Sequence, residues 1–203
     1  MKVTERIYNP KEVITFSNTK GIFGGLSNMA PNYPLFVNEI NIPNVEALYQ
    51  ACRFPLFPHI QEEIILQNNP IDAKNISKKY LQYTRQDWEN IKFSIMKWCL
   101  EVKLLQNWDT FSHLLESTGN KQIVEYSVKD AVWGAMPDET GNLVGKNALG
   151  RLLMELRENI IFKGCKPQFV KPLNISAFLP FNSEISPVYY PAFYFAEFEL
   201  EAA

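Results

Sequence analysis

The stretch best suited to chemistry is the segment 44–54, Asn-Val-Glu-Ala-Leu-Tyr-Gln-Ala-Cys-Arg-Phe. Asn44 is a favoured residue for a helix N-cap, and the alanine and leucine that follow favour a helix. Helical spacing then places four polar side chains on one face: Glu46, Tyr49, Gln50 and Arg53. A carboxylate beside a fixed cation stays ionised, and such a carboxylate suits a reaction that builds positive charge. The alternative is an ordinary solvated face with an Arg–Glu ion pair.

Two loops offer further candidate residues. The loop 21–31 has three glycines near its start, so its backbone can approach a ligand closely, although it lacks the spacing of a P-loop or dinucleotide motif. A plain turn is the alternative. In the second loop, Asp130 lies three residues before Trp133, and Gly134 permits a close backbone approach. This pattern fits one side of a ligand-binding site, and it fits a tryptophan that is simply packed in the protein interior equally well.

Lys103 lies in a long predicted helix and flanks its apolar stripe instead of its polar face. A lysine at such a position often covers the core with its methylene groups and keeps its ammonium group in water. The functional alternative is a partly buried ammonium group directed into a pocket.

The elements predicted to position these residues are mostly helices. Apolar periodicity and capping residues predict helices over 44–54, 59–68, 70–83, 85–107, 109–117 and 146–162. Strands are predicted at 13–16, at 123–126 and at 194–201, with a hairpin over 35–42 that turns at Asn38-Glu39. Thr84 and Asp87 form a candidate capping box, and Asp109 is expected to cap the helix that follows it.

Composition limits the possible classes of protein. The 203 residues include 20 basic and 22 acidic side chains, a formal charge of −2, which argues against wholesale non-specific binding of nucleic acid. Cys52, Cys99 and Cys165 are far apart, and with two histidines they match no zinc spacing, so we expect reduced thiols and no metal site. The sequence contains neither a signal-peptide core nor a membrane-spanning run. We therefore expect a soluble cytoplasmic protein without membrane association.

Residues 165–203 differ from the rest of the chain because they are rich in proline and aromatic residues. They are too aromatic for a disordered tail, so we expect them to pack on the main body or on a partner. We predict a domain over 1–163 and a C-terminal extension over 164–203.

Several segments together resemble the YbiA-like or NADAR family, over residues 15–160. The segments in question are Leu26-Ser27-Asn28, Val45-Glu46-x-x-Tyr49-Gln50-Ala51, Asp87-Trp88, Lys103 within Leu100-Glu-Val-Lys-Leu, Leu114-Leu115-x-x-Thr118-Gly119, Val124-Glu125, Asp130-x-x-Trp133-Gly134 and Gly145-Lys-Asn-x-Leu-Gly-x-Leu-Leu-Met-Glu-Leu-Arg157. Each segment is weak alone, and their order and spacing make the combination specific.

This resemblance implies a mainly α (α+β) fold, with a compact helical domain and a small β-hairpin or sheet element. It also implies hydrolysis of N-glycosidic bonds, either of phosphoribosyl intermediates of riboflavin biosynthesis or of ADP-ribosyl-guanine in nucleic acid, where such an enzyme would serve as an antitoxin. It implies no cofactor. The pocket residues expected from the matching motifs are Glu46, Trp88, Lys103, Asp130, Trp133 and Asn147.

The chain departs from the family pattern in three places. Leu26 replaces the usual phenylalanine before Ser27-Asn28, which puts an aromatic platform there in doubt. Arg53 stands where a lysine is common, and arginine keeps the charge but cannot readily serve as a nucleophile or base. The segment after about residue 163 has no counterpart in short members, and it could shape substrate choice or a dimer contact.

Cleavage of an N-glycosidic bond develops positive charge on the ribose, and glycosidases meet that charge with one carboxylate while a second carboxyl group handles a proton. We expect Glu46, Asp130 and Lys103 to be catalytic. Glu46 would stabilise the cation or activate water, and Asp130 would orient the ribose hydroxyls or share the proton transfer. We expect the substrate to be bound by Ser27, Asn28, Tyr49, Gln50, Arg53, Trp88, Trp133, Gly134 and Asn147.

Three questions stay open at this stage. The substrate is either a small phosphoribosyl or ADP-ribosyl metabolite or ADP-ribosylated DNA, for which the basic stretch 74–79 leaves room. A module that binds ADP-ribose or a nucleotide without cleaving it is the main alternative to an enzyme, and a purely structural partner protein is another. The sequence does not predict the oligomeric state.

Overall fold

The computed structural model describes residues 4–164 and 166–190, which form a mixed α+β fold. The helices of this part are α1 (Val45–Ala51), α2 (Pro58–Ile65), α3 (Pro70–Lys79), α4 (Trp88–Gln106), α5 (Trp108–Ser117) and α6 (Ala148–Leu156). The strands of this part are β1 (Arg6–Tyr8), β2 (Ile14–Phe16), β3 (Leu35–Val37), β4 (Ile40–Ile42), β5 (Ile123–Glu125), β6 (Met136–Pro137), β7 (Leu143–Gly145), β8 (Phe169–Val170) and β9 (Val188–Tyr189). The predicted class is confirmed.

The chain divides into two compact units, each built from two stretches of sequence. The first unit comprises Met1–Ala30 and Asp109–Cys165, and the second comprises Pro31–Trp108 and Lys166–Ala203. That a domain ends at residue 163 and a C-terminal extension begins at residue 164 stays a prediction. Residues 166–190 belong to the second unit, where β8 and β9 contact α4.

The first unit is organised by small sheets. Strands β1, β7 and β6 form an antiparallel sheet, and β2 pairs with β5 in parallel. Helix α6 packs on β5. The core of the sheets contains Tyr8, Val124, Ala135 and Leu143, all buried. The loop 21–31 follows β2, and the loop that contains Asp130 follows β5.

In the second unit, α1 packs against α2, α3 and α4, so the helix with the polar face is surrounded by other helices. The hairpin β3–β4 turns at Asn38 and Glu39, whose φ angles of 48° and 64° suit a two-residue turn of type I′. Asn44 begins α1 as predicted, since its side chain accepts a hydrogen bond from the N–H of Ala47. Pro58 and Pro70 open α2 and α3 at the position where a missing N–H costs nothing.

Two predicted caps are wrong. Asp87 precedes α4 without capping it, because Arg85 holds its carboxylate through Nε at 2.6 Å and Nη2 at 3.1 Å. The hydroxyl of Thr84 is buried without a hydrogen-bond partner. Asp109 lies inside the first turn of α5, which begins one residue earlier at Trp108. Local ion pairing thus replaced the capping box.

The predicted helices and strands otherwise match the structure within a few residues, with two changes of geometry. The helix predicted over 146–162 becomes α6 followed by a π-helix at Arg157–Ile161. The helix predicted over 70–83 becomes α3 followed by a 3-10 helix at Leu81–Tyr83, and a further 3-10 helix lies at Gly24–Leu26. The sequence did not predict β1, β6, β7, β8 or β9, because strands of two or three residues leave little periodic signal. The strand predicted at 194–201 lies outside the described residues.

Helix α4 buries the apolar stripe that its sequence predicts. Trp98, Val102 and Leu105 are buried, whereas Ile91 is half-buried. Cys52 and Cys99 are free and buried, as expected of small apolar side chains. No helix of the described part of the chain is long and apolar enough to cross a membrane.

Candidate active site

The polar face of α1 is buried, so the interpretation as an ordinary solvated face is wrong. Glu46 is 2% exposed and Gln50 is 5% exposed. Gln50 lies one turn after Glu46 and donates from Nε2 to Oε1 of Glu46 at 2.8 Å. A buried carboxylate is costly unless hydrogen bonds or charges compensate for its lost hydration. Glu46 is therefore a carboxylate that the fold holds in a fixed place.

Ser77 extends this hydrogen bonding from another helix. Its hydroxyl, fully buried on α3, donates to Oε1 of Gln50 at 2.5 Å. Nη1 of Arg53 lies 3.4 Å from the same hydroxyl oxygen. Sequence reasoning missed Ser77, although a serine on the apolar face of α3, one turn after the buried Ala73, was a usable signal.

Tyr49, Trp88 and Arg53 form an aromatic and cationic group beside Glu46. The ring centroids of Tyr49 and Trp88 are 5.1 Å apart, and Cζ of Arg53 lies 5.0 Å from the Trp88 ring centroid. Burial raises the pKa of Tyr49, and the charge of Glu46 raises it further. Burial lowers the pKa of Arg53, whereas Tyr49, Glu89 and Glu46 act to raise it. The phenol thus stays protonated, and it can donate a hydrogen bond.

Lys103 is the most deeply buried cation of the candidate residues. Its side chain is 0% exposed, so its ammonium group does not extend into water. Nζ lies 4.1 Å from the ring centroid of Tyr33. Burial lowers the pKa of Lys103 well below its usual value. An amine in this environment loses its proton more readily than a surface lysine does.

In the first unit, Ser27 and Asn28 follow the 3-10 helix of the glycine-rich loop, and both are buried. The hydroxyl of Ser27 accepts from the N–H of Met29 at 3.1 Å. Gly24 is required for the path of the loop, because a Cβ there would lie 2.5 Å from the carbonyl of Thr19. A cavity of about 410 Å³ lies beside this loop and is lined by Phe16, Phe23 and Tyr126, among others.

Asp130 organises the loop that contains Trp133. Its Oδ1 accepts from the N–H groups of Val132 at 2.8 Å and Trp133 at 2.9 Å. Both bonds end on one oxygen, so the second oxygen can still accept a hydrogen bond. Gly134 lies against β5, where a Cβ would come 2.5 Å from the carbonyl oxygen of Glu125. Trp133 is half-buried.

Asn147 joins α6 to β5. Its Nδ2 donates to the carbonyl of Ile123 at 2.8 Å, and its Oδ1 accepts from the N–H of Glu125 at 3.0 Å. Its backbone is left-handed, with φ of 49° and ψ of 48°, a conformation that asparagine tolerates better than most residues. Both ends of the amide thus contact backbone of the same strand.

The structure brings Glu46, Tyr49, Gln50, Arg53 and Trp88 into one connected group within the second unit. Lys103 belongs to the same unit, and its ammonium group contacts Tyr33. Within the first unit, Asp130 contacts Trp133, while Asn147 contacts β5. Among the described residues, no three histidine, cysteine, aspartate or glutamate side chains group as a metal ion would require.

Comparison with known proteins places this arrangement in a family. The family model of the NADAR domain matches residues 11–161. The chain belongs to the NADAR domain family. The resemblance read from the sequence motifs is thus confirmed.

Relatives within the family have two kinds of name. The N-glycosidase YbiA of Escherichia coli is 34% identical over 148 residues, which cover 73% of this chain and 88% of that protein. A riboflavin biosynthesis protein of Vibrio vulnificus is 36% identical over 137 residues, 68% of this chain and 35% of that protein. The chloroplastic riboflavin biosynthesis protein PYRR of Zea mays is 34% identical, over 73% of this chain and 25% of that protein. The chain therefore spans about a third or less of the two riboflavin proteins and most of YbiA.

The fold is shared with a solved member of the family. The NMR structure of E. coli YbiA superposes with a TM-score of 0.63 at 31% sequence identity, covering 77% of this chain and 90% of that one. The NADAR fold thus accounts for the helices and small sheets described above.

Proposed function

We propose that this NADAR-family chain hydrolyses the N-glycosidic bond of a phosphorylated ribosyl compound, and that Glu46 is its principal catalytic residue. The observation that carries the proposal is the buried Glu46 carboxylate, held by Gln50 at 2.8 Å next to the Tyr49–Trp88–Arg53 group. The names of the N-glycosidase relatives support the same reaction class.

Glu46 suits the charge that this reaction develops. Loss of the leaving group makes the C1′–O4′ region of the ribose positive, and a fixed anion nearby stabilises that state more than the neutral ground state. The reaction balances when the water oxygen bonds to C1′ as the C1′–N bond breaks, one water proton reaches the departing nitrogen, and the other stays on the new C1′ hydroxyl. Burial excludes competing water and strengthens the interaction of Glu46 with the developing cation.

Arg53 and Trp88 lie against each other and suit neighbouring groups of such a substrate. A guanidinium group offers paired donors that match the geometry of a phosphate, and arginine keeps its charge at neutral pH. An indole ring offers a flat apolar surface for a base. We assign phosphate binding to Arg53, stacking on the leaving group to Trp88 with Tyr49, and a second positive charge or a proton transfer to Lys103.

The residues of the first unit keep the roles that the family motifs imply. Asp130 would orient the ribose hydroxyls through its second carboxylate oxygen, and Trp133 would contact the base. Ser27, Asn28, Gly134 and Asn147 would contact the substrate. These roles remain predictions.

Within this class, a small phosphoribosylamino compound is the substrate that we favour. Two relatives carry riboflavin biosynthesis in their names, and the formal charge of −2 gives no general attraction for a polyanion. ADP-ribosylated guanine in DNA is the competing substrate, and the exposed Lys78 and Lys79 of α3 are the residues that such a strand would contact.

The test is incubation of the protein with a phosphoribosylaminopyrimidine and, separately, with an oligonucleotide that carries ADP-ribosylated guanine, in water enriched in ¹⁸O. Mass spectrometry should find free base and ribose 5-phosphate that carries one ¹⁸O at C1′. Release of unmodified oligonucleotide and ADP-ribose instead would support the second substrate. Tight binding by calorimetry without any product would overturn the proposal in favour of a binding module.

A further inference from the structure

We propose that Ser77 is a positioning residue that sets the orientation and the acidity of Glu46 through Gln50. This inference rests on the function proposed above for Glu46. Its basis is a connected series of side chains, Arg53, Ser77, Gln50 and Glu46, in which Ser77 alone comes from α3.

The donors of this series all point the same way. Arginine can only donate, so Nη1 of Arg53 donates toward the Ser77 oxygen at 3.4 Å. The hydroxyl proton of Ser77 is then directed to Oε1 of Gln50 at 2.5 Å. The Nε2 group of Gln50 donates to Glu46 at 2.8 Å. The direction runs from a cation to an anion, and each bond polarises the next one.

Ser77 thereby decides which way the Gln50 amide faces. An amide has a donor end and an acceptor end, and an ionised carboxylate accepts only. With the Ser77 hydroxyl donating to Oε1, the NH₂ group must face Glu46. Without that hydroxyl, Oε1 would be left buried and without its donor, and the amide would gain by turning away from Glu46.

Burial makes this dependence strong. Ser77 is 0% exposed, Glu46 is 2% exposed and Gln50 is 5% exposed, so bulk water cannot readily replace a missing partner. Helices α1 and α3 pack directly against each other. A hydroxyl on one helix therefore controls a carboxylate on its neighbour without touching it.

Other titratable groups also act on Glu46 and must stay constant in a test. Tyr49 interacts with it electrostatically from α1, Arg53 does so from the turn after α1, and Cys99 does so from α4. Glu89 of α4 acts on Tyr49 and Arg53. A substitution at Ser77 removes none of these charges.

The experiment compares the wild type with Ser77→Ala and Ser77→Cys, the latter close in size but a weaker donor. The control is Ser112→Ala, which removes the hydroxyl of another buried serine, on α5. The pKa of Glu46 is measured by ¹³C NMR of labelled glutamate carboxyls, with its signal identified by its loss in Glu46→Gln. The pH dependence of kcat/KM is measured for the same proteins with the phosphoribosyl substrate.

In Ser77→Ala, we expect the pKa of Glu46 to rise by about half a unit to one unit, because a hydrogen bond to its charged form weakens. Ser77→Cys should give a smaller rise, and Ser112→Ala should give none. The acidic limb of kcat/KM should move up by the same amount, with KM at neutral pH changed less than about twofold, since the charge of Arg53 and its contact with Trp88 are retained.

An unchanged pKa of Glu46 in Ser77→Cys or in folded Ser77→Ala would overturn the positioning role. An equal rise of the Glu46 pKa in Ser112→Ala would also overturn it, since loss of any buried serine hydroxyl would then have the same effect. The NMR titration does not need turnover, so it separates the two hypotheses. A wild type without glycosidase activity refutes the proposed function, whereas normal turnover with an unmoved Glu46 titration refutes only the role of Ser77.

Discussion

The guanidinium group of Arg53 lies over the indole ring of Trp88, with Cζ 5.0 Å from the ring centroid. Its Nη1 approaches Ser77, and its Nε is buried without a hydrogen-bond partner in the described part of the chain. These contacts restrict the side chain before any ligand arrives, so less side-chain entropy is lost when the group binds an anion. Trp88 thus preorganises Arg53, and its ring also contacts the ring of Tyr49.

Arg53→Met tests the phosphate-binding role. If Arg53 holds the phosphate, kcat/KM for a phosphorylated ribosyl substrate should fall by about 10- to 100-fold, the value of a charge-assisted hydrogen bond. The same substitution should cost less than about threefold on the dephosphorylated compound. Steady-state kinetics on the two substrates checks this. Lys78→Met, which removes an exposed charge of α3, is the control, and an equal loss on both substrates would contradict phosphate recognition.

Glu46→Gln should preserve the fold and remove catalysis. The amide has nearly the same shape but cannot supply the negative charge, so kcat should fall by roughly 100- to 1,000-fold while KM changes little. Single-turnover kinetics measures the chemical step directly. Glu116→Gln, at an exposed position of α5, is the matched control. A Glu46→Gln protein that folds normally and retains wild-type kcat would refute the assigned role.

Lys103 should make stability depend on pH in a predictable direction. Its pKa in the folded state lies well below 10.5, so between the folded and unfolded values the unfolded chain binds more protons. The free energy of unfolding should therefore rise with pH across that window, by up to about 1.4 kcal/mol per pH unit, and should level off near the unfolded pKa. Lys103→Met should remove this slope.

Urea denaturation at a series of pH values up to about 10 measures the difference between wild type and Lys103→Met. Lys129→Met removes an exposed lysine and should leave the slope as it is in the wild type. If the free energy of unfolding changes with pH in the same way for wild type and Lys103→Met, then Lys103 does not cause the pH dependence.

Gly134→Ala should destabilise the first unit. The added Cβ would meet the carbonyl oxygen of Glu125 at 2.5 Å, and relieving that contact requires a shift of the backbone. The expected cost is about 1–3 kcal/mol, measured by chemical denaturation. Gly21→Ala, in the glycine-rich loop, meets nothing within 4 Å and should change stability by less than about 0.5 kcal/mol. Equal effects of the two substitutions would contradict the steric reason.

Much of the fold followed from the sequence because its signals are local. The N-cap at Asn44, the turn at Asn38-Glu39 and the apolar stripe of α4 each depend on neighbours within a few residues. Strands β1, β6 and β7 of the first unit did not, and neither did the strand pairing, since β1 pairs with β7 and the predicted β2 pairs with the predicted β5 across more than a hundred residues. Two or three residues with one buried face carry no periodic pattern that predicts such a partner.

For the candidate site, the sequence by itself determined the family and the order of polar residues along α1, since helical spacing places Glu46 and Gln50 one turn apart. Tertiary structure alone decided that this face is buried, because α2, α3 and α4 must pack around it before water is excluded. The same packing brings the Ser77 hydroxyl to Gln50 and encloses the ammonium group of Lys103. Hydrogen bonds between helices and the loss of hydration arise only when distant segments meet, and no local pattern records them.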